Sequence, residues 1–156
     1  MRLLPALTLA LLPLVARAAD DHHVAQRDGI RIVHVWTNAR PAGAEALIYL
    51  EIENRTGHEA VLNGGSLSGQ PLEIVGFTYG AAGGNWTPLP ALPVAPGTKI
   101  TLVPNEVALR LPRLPEGLAK GQELTLDISI DNTPITAHAE VMDASATTHS
   151  HAGHSH

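Results

Sequence analysis

Apolar and polar side chains alternate through the middle of the chain with a period of two. Ala46, Ile48, Leu50 and Ile52 fall on one face of an extended segment, opposite Glu45, Glu51 and Glu53. Leu124, Leu126, Ile128 and Ile130 do the same against Glu123, Thr125, Asp127 and Ser129. Successive side chains of a strand point to opposite faces, so this alternation marks half-buried antiparallel strands. The pattern predicts strands over 30–36, 46–53, 59–67, 72–79, 98–103, 106–111, 123–130 and 135–141. Turn-forming clusters separate them: RPAG at 40–43, NRTG at 54–57, AAGGN at 81–85, APG at 95–97 and DNTP at 131–134. No apolar stripe of helical spacing is long enough to pack. Many short strands with regular turns specify an all-β antiparallel sandwich or barrel of about eight strands.

The two ends follow other rules. MRLLPALTLALLPLVARA places Arg2 before an apolar run from Leu3 to Val15 and closes on Ala16-Arg17-Ala18. Charge, short apolar run and small-x-small site make a secretory signal peptide over 1–18. The run is too short for a membrane helix, which needs about 20 residues. Cleavage after Ala18 satisfies the small-x-small rule better than cleavage after Ala19. Export implies a periplasmic protein with no membrane span once the signal is removed. Residues 19–28 are polar and read as a flexible N-terminal segment; the domain then spans 29–142. From 143 to 156 the chain is small, polar and rich in histidine, with nothing to bury, and reads as a disordered tail.

Composition narrows the chemistry. Losing Arg2 and Arg17 takes the net charge from −5 to −7, and no basic patch exists to meet nucleic acid. The chain has no cysteine, so neither disulfides nor thiolate ligands are available. Nucleophile elbow, phosphate loop and His-Glu-x-x-His motifs are missing, which argues for a non-enzyme. Of the two methionines, only Met142 survives signal removal.

Several segments, in order, resemble the periplasmic copper chaperones of the PCu(A)C type. They are VHVWTNARPAGAEALIYLEIEN (33–54), PLEIVGF (71–77), LPVAPGTKITLVPNEVALRLPRL (92–114) and LAKGQELTLDISIDN (118–132). The resemblance covers roughly 28–142. It implies a cupredoxin-like or Ig-like sandwich, a copper cofactor, and a membrane-bound acceptor in cytochrome oxidase assembly. It also implies a Cu(I) site of histidines and methionines, ligands that suit a soft ion. At the aligned positions this chain has other residues. Val75 and Gly76 stand for a His-Met pair, Trp86 for a later Met, and Ala108 and Arg110 for a His-x-Met. The family's core copper ligands are therefore not carried over, and Val75, Ala108 and Arg110 mark a degenerate site.

Nine histidines remain as metal ligands. His149, His151, His154 and His156 crowd the last eight residues, HSHAGHSH, and imidazole suits Cu(II), Zn(II) and Ni(II). This tail is the main candidate metal site, with Cu(II) expected. His22 and His23 are weaker candidates; a mature end Asp20-Asp21-His22 makes a square-planar Cu(II) site if the signal is cut after Ala19. His34 reads as a packed or edge residue on the face of Trp36, His58 as exposed in a turn, and His138 as exposed on a strand face with Thr136 and Glu140. The expected function is copper capture or delivery through the tail. The alternatives are a non-metal adaptor or ligand-binding sandwich, and zinc or nickel buffering by the same histidines.

Overall fold

A computed structural model describes residues 24–149. Among them the regular structure is entirely strand: β1 (Val24–Arg27), β2 (Ile30–Asn38), β3 (Ala46–Asn54), β4 (Ala60–Leu67), β5 (Gln70–Gly80), β6 (Gly83–Pro88), β7 (Leu92–Val94), β8 (Lys99–Leu102), β9 (Val107–Leu111), β10 (Glu123–Ile130) and β11 (Thr133–Met142). The order β2-β11-β10-β4-β5-β9-β3 returns to β2 through a direct β2–β3 pairing, which closes a barrel of seven strands. β1, β6, β7 and β8 extend it on β2, β5, β4 and β3. Closure leaves these seven without a free edge. One closing pair, β11 with β2, is parallel, with Glu140 opposite Trp36 and Met142 opposite Asn38.

The interior is what the alternation requires. Ala46, Ile48, Leu50 and Ile52 pack inside with Leu124, Leu126, Ile128 and Ile130, joined by Leu62, Leu102, Leu109, Leu111 and Val141. Burying a side chain of this kind contributes about 1.5–3 kcal/mol, so this core is the main source of stability in a chain without disulfides.

All eight expected strands form, and three more join them. Of the segment 19–28 that reads as flexible, Val24–Arg27 form a strand, paired residue for residue with β2. The turn between them is Asp28-Gly29, both at positive φ. Asp-Gly is among the strongest signals for a type I′ hairpin, whose twist matches that of the flanking strands. Ser68-Gly69 and Asp131-Asn132 make the equivalent turns for β4–β5 and β10–β11. AAGGN is a turn only at its start; Gly83 onward pairs with β5. Gly84 is needed there because a Cβ would collide with the ring of Phe77.

Candidate metal centre

β2 carries an irregularity that decides which way its side chains face. The β2–β3 register shifts between Val33 and Trp36, and His34 sits at φ +53° within that shift. Ile30, Ile32 and Val35 face the core. Trp36 faces out instead, and His34 is exposed. A bulge of this kind inserts one residue and re-aims those around it. The bulge breaks the strict period, so that neither His34 nor Trp36 enters the core: Trp36 is buried in an outer cluster while His34 stays exposed.

Outside the barrel, a second apolar cluster forms on the face that Trp36 joins. Trp36, Tyr49, Val75, Ala108 and Met142 are its buried members, with Leu47, Trp86 and Ala146 packed against them. The Trp36 and Tyr49 rings lie 4.6 Å apart between centroids. Burial pushes the Tyr49 phenol up to about 12; Arg40 opposes this shift and Glu45 adds to it. Val75 and Ala108 are register partners on β5 and β9, and neither has any exposed surface. Beside them, Arg110 is the register partner of Glu73. Its guanidinium donates to Glu73 Oε2 at 2.8 and 3.2 Å and lies 3.7 Å from Glu45 Oε2.

The chain after β11 folds back over this face. Asn38, 8% exposed, donates from Nδ2 to the carbonyls of Asp143 and Ala146 at 2.8 and 2.9 Å. Asp143 accepts from the backbone N–H and hydroxyl of Ser145 and pairs with Lys120 at 3.5 Å. Those Ser145 bonds and the Lys120 charge hold the Asp143 carboxyl below the usual carboxylate range. Along the strap, the side chain of His149 is 11% exposed, with Nε2 3.4 Å from Glu140 Oε2 and its ring centroid 5.7 Å from that of His34. Residues 143–149 were expected to be loose; they are tied to the barrel because a buried amide on β2 satisfies two of their carbonyls.

No protein-family model and no curated protein matches the sequence. Solved structures do. The apo PCuAC domain of PmoF1 superposes with a TM-score of 0.65 at 20% identity, covering 78% of this chain and 99% of that one. The apo PCuAC domain of PmoF2 gives 0.63 at 17% identity, covering 81% and 99%. A copper-bound PCuAC domain from PmoF2 gives 0.63 at 19% identity, covering 78% and 98%. The chain has the PCuAC fold.

Within that PCuAC fold, the positions that the sequence resemblance marks for copper do come together. Val75 and Ala108 pair, Trp86 packs against the same cluster, and Arg110 lies beside it. Their chemistry is that of a small outer core: valine and alanine offer no donor atom, and the guanidinium is a fixed cation held by two carboxylates. Met142 supplies one thioether within the cluster. Among the described residues, no group of three or more His, Asp or Glu side chains is placed to hold a metal ion.

The histidines divide accordingly. His58 is exposed, with Nδ1 3.2 Å from the Glu59 carbonyl. His138 lies on the same strand face as Thr136 and Glu140, as expected; it faces Glu123 at 3.3 Å and Thr125 at 3.4 Å, and Glu140 lies 3.4 Å from His149. His22, His23, His151, His154 and His156 lie outside the described residues, as does the signal segment 1–18. The sequence reading missed the Asn38 clamp and the approach of His34 to His149. A signal for the latter exists: strict alternation puts His34 on the core face between Ile32 and Trp36, an awkward place for an imidazole that a bulge relieves.

Proposed function

We propose that this is a periplasmic copper-binding protein that captures copper and passes it on, with Cu(II) held mainly by the C-terminal histidines. One observation carries the reading. The fold is that of PCuAC domains, one of which was solved with copper bound, yet Val75 and Ala108 fill the aligned ligand positions with fully buried hydrocarbon. Metal binding on this scaffold then falls to imidazole, and His149, His151, His154 and His156 are the dense supply of it. Neutral imidazoles on a tail exchange one at a time, a route for handing the ion to a membrane-bound acceptor such as one in cytochrome oxidase assembly.

The test is titration of Cu(II), Cu(I) and Zn(II) into the chain lacking residues 1–18 and into a version that also ends at Ser145. Full-length protein should bind Cu(II) at least tenfold more tightly than the shortened one. Equal affinities would refute the tail as the site. Tight Cu(I) binding by the shortened protein would refute the inert core. Stronger binding of Zn(II) than of copper would favour zinc buffering. Imidazole protonates near pH 6.5, so Cu(II) binding should weaken markedly by about pH 5.

The adaptor reading has its own support in the β5–β6 hairpin, where Tyr79 is 81% exposed and packs edge-on to Phe77, with Trp86 on that ring's other contact. Exposed aromatics of this kind anchor protein contacts. A partner retained from a periplasmic extract equally by metal-free, copper-loaded and shortened protein, and lost with Tyr79→Ser, would favour it.

A further inference from the structure

The tail does not offer its first histidine to solvent alone. His149 is brought against His34, a residue more than a hundred positions earlier, on a different strand. Three features build that meeting. Asn38 fixes the carbonyls of Asp143 and Ala146, which sets where the strap runs. The bulge holds His34 outward at φ +53°, a conformation few non-glycine residues adopt and one that marks functional sites more often than chance. Glu140, opposite Trp36 on the neighbouring strand, places its carboxylate 3.4 Å from His149 Nε2.

Resting on the copper reading above, we propose that His34 and His149 bind one Cu(II) ion between them, making the barrel itself part of the tail's site. Metal–nitrogen bonds of about 2 Å place two imidazoles on one ion with ring centroids roughly 4.5 to 6.5 Å apart, from the cis to the trans arrangement. The observed 5.7 Å falls within that range. A carboxylate beside a ligating imidazole fixes its tautomer and raises its basicity, which is the part Glu140 plays behind His149. The pair supplies two ligands rather than a closed cage, consistent with the lack of a three-residue group among the described residues. Its remaining positions can be taken by water, by an incoming ligand or by further tail histidines. Docking the strap in advance also removes much of the ordering cost that a free tail would meet on binding.

The experiment uses the chain lacking residues 1–18 and Cu(II) as the only metal. His34→Asn removes the imidazole and keeps a residue that tolerates positive φ. It should weaken Cu(II) binding tenfold or more and reduce by one the nitrogens counted in the electron paramagnetic resonance spectrum. His58→Asn should change neither. His149→Ala, which lies outside every barrel strand, should reproduce the loss, and combining it with His34→Asn should add little further. If His34→Asn keeps wild-type affinity and spectrum while ending the chain at Ser145 abolishes binding, the tail binds alone and this proposal is wrong, though the tail reading stands. If the shortened chain binds as tightly as full length, both fail. Fully additive losses in the double variant would also overturn it.

Discussion

Arg110 stands where the family resemblance expects a metal ligand, and its neighbourhood puts its charge to another use. Its charge would repel a cation, and Glu73 and Glu45 use that charge instead. These carboxylates are 45% and 42% exposed, so the pairs are well screened. Arg110→Ala should therefore cost about 1 kcal/mol or less in urea unfolding. It should create no Cu(I) affinity, because Val75 and Ala108 still offer no ligand. Tyr49 makes a sharper test of the same cluster. Its phenol is pushed up to about 12 by burial, above the ordinary value of 10. Subtracting the ultraviolet titration of Tyr49→Phe from that of the wild type should leave a transition centred near 12. Between the unfolded value and that point the native state holds a proton the unfolded chain has lost, so this stabilisation is complete below about pH 10 and declines as pH rises. A difference transition at the ordinary phenol value would show the outer cluster to be open to water. Asn54 tests the inner end of β3. Its amide donates to the carbonyls of His58 and Val94, and its oxygen accepts from the Thr56 backbone and hydroxyl. Asn54, 1% exposed, leaves these groups stranded when it is replaced by alanine, and Asn54→Ala should cost about 2–3 kcal/mol, measured by chemical unfolding.

Elements were legible wherever alternation ran for several residues, as in β3 and β10, because a period of two sorts inside from outside without help from distant parts of the chain. β1 and β6 escaped for local reasons. Polar residues hid β1, although Asp28-Gly29 announced its hairpin. Two glycines gave β6 the character of a loop, because glycine weakens strands in general. Only the ring of Phe77, across the hairpin, explains why Gly84 belongs there. The strap 143–149 was out of reach for a different reason. It has almost no apolar surface of its own, and its order comes from Asn38, which the sequence places far away. That dependence is testable. Asn38→Ala should free the strap, seen as faster amide exchange over 143–149, and should change the thermal midpoint of the barrel little. Slow exchange that survives the substitution would show that Ala146 packing and the Asp143 pairs suffice. The Asp143 contribution carries its own sign: its carboxyl is lowered in the folded protein, so this support is present above the ordinary carboxylate range and is lost as pH falls through the folded value.

At the scale of the whole molecule, the same corner that closes the barrel also receives the tail. β11 meets β2 in the parallel pair, and the strap that follows β11 returns to β2 through Asn38 and His34. Convergence of Val75, Ala108 and Arg110 was legible because a shared fold carries aligned positions to one place whatever residues occupy them. What those positions now do was not, since valine and alanine beside a tryptophan acquire meaning only when the cluster is seen. The arrangement makes metal binding a question about the fold. A tail that binds copper by itself does so equally in the folded and unfolded chain, and its copper leaves stability unchanged. An ion shared by His34 and His149 binds only where β2 and the strap are assembled. At a free Cu(II) concentration about 100 times the dissociation constant, such a site stabilises the folded state by about 2.7 kcal/mol. For a domain of this size that corresponds to a rise of roughly 10 °C in thermal midpoint. Full-length protein should show the rise, while His34→Asn and the chain ending at Ser145 should not. Copper that binds full-length protein tightly and leaves its midpoint where it was would place the ion on the tail alone.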